Sequence, residues 1–139
     1  LKELEIAGLM HDIGKIAINN DILNKPGKLT DAEYEEIKKH PEISYQILKS
    51  ADVYTRLAEY VLSHHERWDG EGYPRGLSGE GIPLVARIIT VADAYEAMTA
   101  NRPYREPLSQ EQAIKELKRC SGTQFDPEIV TACEKCYVV

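Results

Sequence analysis

The stretch PLVARIITVADAYEAMTA, Pro83 to Ala100, decides the fold. Proline suits the first turn of a helix, and Val85, Ile88, Ile89, Ala92, Tyr95 and Met98 recur at helical spacing, so a long helix is predicted from Pro83 to about Ala100. Asp93 interrupts it, a carboxylate among Ile88, Ile89, Val91, Ala92 and Ala94. An unpaired buried carboxylate is costly, so Asp93 should ligate a metal, cap a polar network, or pair with a cation such as Lys15 or Arg87. Its surroundings leave these options open.

Working outward, the flanking segments also read as helices. Leu4, Ile6, Ala7, Leu9 and Met10 make Leu1 to about Met10 a buried helix that delivers His11-Asp12 at its C-terminal end, with Gly14 as the stop. Thr30 and Glu33 have capping-box spacing and start a polar helix over residues 31–39. His40-Pro41 opens another, with Ile43, Ile47 and Leu48 as its inward face. Leu57, Ala58, Val61, Leu62 and His65 follow helical spacing from about Thr55. A Gly- and Pro-rich loop precedes Pro83, Ser109 with Gln112 caps a further helix, and Asp126-Pro127 caps the last. With no comparable alternating run, the expected class is all-α.

At 139 residues with 42% hydrophobic content, the chain suits one domain with one modest core. No stretch approaches the roughly 20 apolar residues of a membrane span, and no signal peptide is recognisable, so a cytoplasmic location without membrane insertion is expected. A net charge of -6 argues against a broad surface for polymeric nucleic acid, while a small phosphorylated ligand needs only a local cluster of cations. Cys120, Cys133 and Cys136 are an odd number and form no disulfide framework; the CxxC spacing of the last two lacks a second ligand pair for zinc.

The four histidines occur as His11-Asp12, His40-Pro41 and His64-His65, each at a predicted helix end. Neighbouring side chains at a helix end can lean over one external point, and imidazole with carboxylate suits zinc, iron, manganese or nickel. Asp12 is the candidate bridge between two ions, an arrangement that clamps the attacking and leaving oxygens in phosphatases and nucleases. Each position also has an inert reading: His40 as a helix cap, His64-His65 as one packed and one solvated ring, His11 as a C-cap favoured by the helix dipole. Requiring all of them together is the weaker account.

The blocks His11-Asp12-Ile13-Gly14-Lys15, His64 to Pro74 (HHERWDGEGYP) and Asn101-Arg102-Pro103-Tyr104-Arg105 resemble the signatures of the HD-GYP family of bacterial cyclic di-GMP phosphodiesterases. The resemblance implies an HD-superfamily helical domain over residues 1–139, with the Gly/Pro-rich loop between the His-His and Asp helices. It implies metal-dependent hydrolysis of cyclic di-GMP to the linear dinucleotide, with continuation to GMP left open, in bacterial signal transduction. Two divalent ions, iron or manganese, are implied: His11, Asp12 and Asp93 for one, and Asp12, His40, His64 and His65 for the other. Asp12 and Lys15 are the implied catalytic residues, and Lys15, Tyr73, Arg102 and Arg105 the implied substrate-binding ones. A phosphohydrolase of another nucleotide and a non-catalytic docking domain are the alternatives.

Three departures qualify the match. The family places a further ligand histidine on an upstream helix, whereas only ten residues precede His11, none of them histidine, so the expectation is a domain lacking its upstream helices and at least one ligand. An upstream sensor or receiver domain and a homodimer are the associated expectations. Ser44 stands where the family often has glycine, and Glu96 where aspartate is common. Trp68 is expected to pack beneath the pocket or stack on a guanine.

Overall fold

The long helix earns its apolar composition by packing on two sides. In the computed structural model, which describes residues 1–51, 54–101 and 106–137, it runs Leu84–Thr99, with Pro83 capping it. Ile89 joins a cluster with Ala7, Leu48, Leu57, Ala58 and Val61, while Val91 joins a second with Ile114, Leu117, Phe125 and Val130. A helix with solvent on one side would need only one apolar stripe. This one separates two halves of the core.

In chain order the helices are α1 (Lys2–Met10), α2 (Asn20–Leu23), α3 (Asp31–Ile37), α4 (His40–Lys49), α5 (Thr55–Leu62), α6 (Leu84–Thr99), α7 (Gln110–Arg119) and α8 (Pro127–Tyr137). Short 3-10 turns cover Ile13–Ala17 and Gly79–Gly81. Among the described residues there is no strand, only an isolated bridge between Ser121 and Phe125, so the all-α expectation holds. No helix among them is long and apolar enough to cross a membrane.

The caps appear where the sequence puts them. Thr30 and Glu33 form a reciprocal box, with Glu33 N–H donating to Thr30 Oγ1 (3.3 Å) and Thr30 N–H to Glu33 Oε2 (2.7 Å). Ser109 and Gln112 repeat it at α7. Asp126 accepts from the Glu128 N–H (2.8 Å) at the start of α8. The short α2, capped by Asn19 through the Asp21 N–H, lies in a stretch with no predicted helix, because four residues give too little periodicity to read.

Gly14 has a different role from the expected helix stop. The helix already ends at Met10, and Gly14 lies buried inside the following 3-10 turn. A Cβ there would run into the His40 carbonyl and the Ser44 backbone and hydroxyl. The missing side chain therefore lets the turn after His11-Asp12 lie directly on the first turn of α4. Ser44 completes the joint, accepting from the Gly14 N–H (2.8 Å) and donating to the His11 carbonyl (3.2 Å).

Candidate metal centre

The backbone around each histidine dictates where its ring points. His11 Nδ1 lies 2.6 Å from the Gly8 carbonyl, His40 Nδ1 2.7 Å from Ile37 and His64 Nδ1 2.5 Å from Val61, in each case three residues back. A carbonyl only accepts, so these contacts assign a proton to Nδ1 and, in a neutral ring, leave Nε2 as a lone pair. The three helix ends then aim these lone pairs inward. His40 Nε2 is 3.3 Å from His64 Nε2 and 3.2 Å from His65 Nε2.

Carboxylates close the other side. Asp12 Oδ1 stands 3.3 Å from His40 Nε2, and His11 Nε2 is 3.5 Å from Asp12 Oδ2 and 3.6 Å from Asp93 Oδ1. His40 and His64 are buried, and His11, Asp12, His65 and Asp93 are partly so. The six predicted ligand positions thus form one connected cluster.

Two lone pairs facing each other at 3.3 Å, as on His40 and His64, repel unless something positive lies between them. His11 Nε2 and Asp12 Oδ1 are moreover buried with no hydrogen-bond partner, in a class of groups that is nearly always satisfied. Ligand atoms of His40, His64 and His65, and separately of His11, Asp12 and His64, all lie within 4.8 Å of one another, so each group could hold a metal ion. Asp93 reaches the cluster through His11. The geometry differs from the sequence expectation in one respect: His64 faces both groups, not only the one with His40 and His65.

Protonation tendencies agree with a ligand role for His64 and His65. Burial pushes His64 down to about 4 and His65 down to about 3, so both are neutral near pH 7. His11 behaves oppositely, raised chiefly by the neighbouring Asp93 carboxylate against the effect of burial. Asp93 is correspondingly lowered by His11. Burial pushes Asp12 up, but His40 and the Lys15 ammonium outweigh it and bring the carboxyl well below the usual range.

The cation partners proposed for Asp93 prove to belong elsewhere. Lys15 Nζ binds Asp12 Oδ2 at 2.5 Å, and Arg87 pairs with Asp126 at 2.6 Å, 16% and 2% exposed respectively. Trp68 lies 5.7 Å beneath the Arg87 guanidinium and borders a small cavity with Ile82, Phe125 and Asp126. This is the packing alternative for Trp68. Arg102 and Arg105 lie outside the described residues.

Tyr73 reaches the centre through its loop. Its ring stacks on His65 with centroids 5.0 Å apart and planes 21° apart. Gly72 makes this approach possible, since a Cβ at that position would strike the backbone of His65, Glu66 and Arg67. Glu66 received no role from the sequence, yet it is only 2% exposed, and its two oxygens accept the N–H groups of Arg75 (2.7 Å) and Leu77 (3.0 Å). The usable signal was a carboxylate directly after two candidate ligands at the start of a glycine-rich loop.

Along an groove between α1 and α6, Leu4, Leu9, Ile88 and Ala92 lead to His11, Asp12 and Asp93. Residues 1–129 match the model of the HD domain family. The chain belongs to the HD domain family. Its curated HD relatives include a cyclic di-GMP phosphodiesterase of Thermotoga maritima, 46% identical over 94% of this chain and 36% of the relative. The cyclic di-GMP phosphodiesterase response regulator RpfG of Xanthomonas campestris is 46% identical over 93% of this chain and 35% of its own length. A 3'3'-cGAMP-specific phosphodiesterase of Vibrio cholerae is 42% identical over 95% and 29%. This chain thus spans about a third of these relatives' length. A crystal structure of a cyclic GMP-AMP specific phosphodiesterase from V. cholerae shares the fold, with a TM-score of 0.73 over 96% of this chain and 37% of that one at 21% identity.

Proposed function

We propose that this HD domain is the catalytic unit of a metal-dependent phosphodiesterase that opens cyclic di-GMP to the linear dinucleotide, with GMP as the product of a second cut. The observation carrying this reading is the convergence of Nε2 atoms from His11, His40 and His64 beside Asp12, with His65 completing the His40 and His64 group. Asp12, His40, His64 and His65 would hold one divalent ion, and His11, Asp12 and Asp93 the other, with Asp12 between them. Ions held there, iron or manganese, supply Lewis-acid polarisation of the phosphoryl group and charge neutralisation.

The protein's own groups have distinct tasks. The Nδ1–H contacts with backbone carbonyls fix ring orientation, so the ligands need little reorganisation on loading. Lys15, bonded to Asp12 but 39% exposed, can offer its remaining N–H donors to a non-bridging phosphate oxygen and stabilise charge on the leaving side. Tyr73 shields His65 from water on the loop side. Arg102 and Arg105 are the further phosphate contacts in this proposal.

The names of the T. maritima and X. campestris relatives support cyclic di-GMP, whereas the V. cholerae name favours 3'3'-cGAMP as a second reading. The test is product analysis after incubating iron- or manganese-loaded full-length protein with each nucleotide. Linear dinucleotide from cyclic di-GMP, abolished in Asp12→Ala, is expected. Preferential cleavage of 3'3'-cGAMP would favour the second substrate, and hydrolysis of neither would leave a docking domain.

A further inference from the structure

The proposed reaction makes no use of one cation at the rim of the centre. Lys38, directly after α3, holds its ammonium 5.8 Å from the Tyr34 ring centroid and 5.4 Å from that of Tyr73. Tyr73 lies in turn on His65, so ammonium, phenol ring and imidazole form a continuous series ending at the metal centre. Ring faces attract an ammonium without neutralising its charge. Tyr34, 49% exposed, is thereby explained as a buttress.

The other partner of Lys38 is weak. Glu35 contacts it at 2.9 Å, but Glu35 is 66% exposed against 28% for Lys38, and such surface pairs contribute little. An ammonium has three donors, and this contact uses one. A stronger anion can replace Glu35 while the rings keep the cation in place.

A cyclic dinucleotide carries two phosphodiesters. When one occupies the metal centre, the other keeps its negative charge and must be accommodated at the rim of a chain whose net charge is -6. An anion there meets an unfavourable field unless a cation is close by. Lys15 is committed to the Asp12 side, whereas Lys38 lies on the loop side, beyond Tyr73.

We infer that Lys38, held by Tyr34 and Tyr73, binds the non-scissile phosphodiester of the cyclic dinucleotide. This rests on the functional reading above. It distinguishes recognition of a two-phosphate ring from cleavage of any single phosphodiester.

Steady-state kinetics on the metal-loaded full-length protein test it, using cyclic di-GMP and the single diester bis(p-nitrophenyl) phosphate. Lys38→Ala should raise KM for cyclic di-GMP about tenfold, the loss expected for one charge-assisted hydrogen bond, with kcat within about twofold. The kcat/KM ratio of cyclic di-GMP to the small diester should fall by the same factor, and the rise of KM with salt should become shallower. Lys38→Arg should recover most of the loss, and Tyr34→Ala, which removes one of the two rings that hold the ammonium, should raise KM for cyclic di-GMP in the same direction. Equal losses on both substrates, a loss in kcat alone, or an unaltered salt dependence would overturn the assignment. If the wild type cleaves no cyclic dinucleotide, the functional reading itself fails; normal wild-type cleavage with an unaffected Lys38→Ala rejects only this contact.

Discussion

Tyr73 lies nearly parallel to His65, the two rings 5.0 Å apart and inclined by 21°. A loop residue therefore fixes the orientation of a candidate ligand from outside the ligand set. Groups that orient ligands in this way typically change metal affinity by about 10- to 100-fold when removed. Tyr73→Ala should weaken manganese binding by about tenfold, at the low end because stacking is less directional than a hydrogen bond. Tyr73→Phe, which preserves the stack, should retain wild-type affinity in a metal titration; equal weakening in both variants would shift the effect to the hydroxyl.

Glu66 holds the same loop from within. Replacing it with glutamine leaves one oxygen for two N–H donors and turns an NH2 group toward the other. An unsatisfied buried donor costs about 1–3 kcal/mol, and Glu66→Gln should destabilise the protein by that amount in denaturant titrations. Glu66→Ala should cost at least as much. A change under about 0.5 kcal/mol, the usual size for an uninvolved surface position, would mean the loop finds its register without this carboxylate.

The contrast between Asp93 and Glu66 shows what a linear sequence can reveal. Asp93 stood out because its neighbours are apolar, and its helix was plain from periodicity. The capping boxes at Thr30 and Ser109 were equally legible, because both partners lie within three residues. The partner of Arg87 was not legible for the opposite reason. Arg87 reaches Asp126 across 39 positions, and no local pattern specifies such a pair. Gly14 was read as punctuation because its actual constraint, the closeness of His40 and Ser44, exists only once α4 folds over the HD turn. The six candidate ligands were identifiable from type and motif, but the double exposure of His64 to both groups needed coordinates.

The Arg87–Asp126 pair supplies a separate test of the packing between α6 and α8. Asp126 is almost fully buried, and Arg87 is its only cationic partner among the described ion pairs. Breaking a buried pair from one side costs about 3–5 kcal/mol because the remaining charge is stranded. Arg87→Met should approach that loss in chemical denaturation. Restoring stability with Arg87→Met plus Asp126→Asn would show that the stranded charge, rather than lost packing around Trp68, is responsible.

Acid should act on a distant point of the fold. Hydrogen bonding from Lys25, at 2.6 and 2.8 Å, and from the Thr30 N–H brings Glu33 down to about 2 from its ordinary 4.5. A carboxyl with a depressed folded pKa contributes stability that is present above its unfolded value and lost as pH falls through the folded value. The contribution of Glu33 should fade between about 4.5 and about 2. Glu33→Gln should therefore melt below wild type at neutral pH, and the two melting curves should converge across that interval. A gap that stays constant with pH would assign the effect to the capping box alone.

Metal loading should stabilise the fold by mass action, because the cluster brings residues from α4, α6 and the ends of α1 and α5 to one point that the unfolded chain lacks. Free metal at about 100 times its Kd adds about 2.7 kcal/mol when the unfolded state does not bind it. Removal by a chelator should lower the melting temperature, and restored manganese should return it. His65→Ala takes one of three imidazoles from the His40, His64 and His65 group, so it should reduce both the bound metal per chain and the stabilisation on reloading. Wild-type stoichiometry together with an undiminished thermal shift in His65→Ala would exclude this ring as a ligand, even if the variant had lost activity.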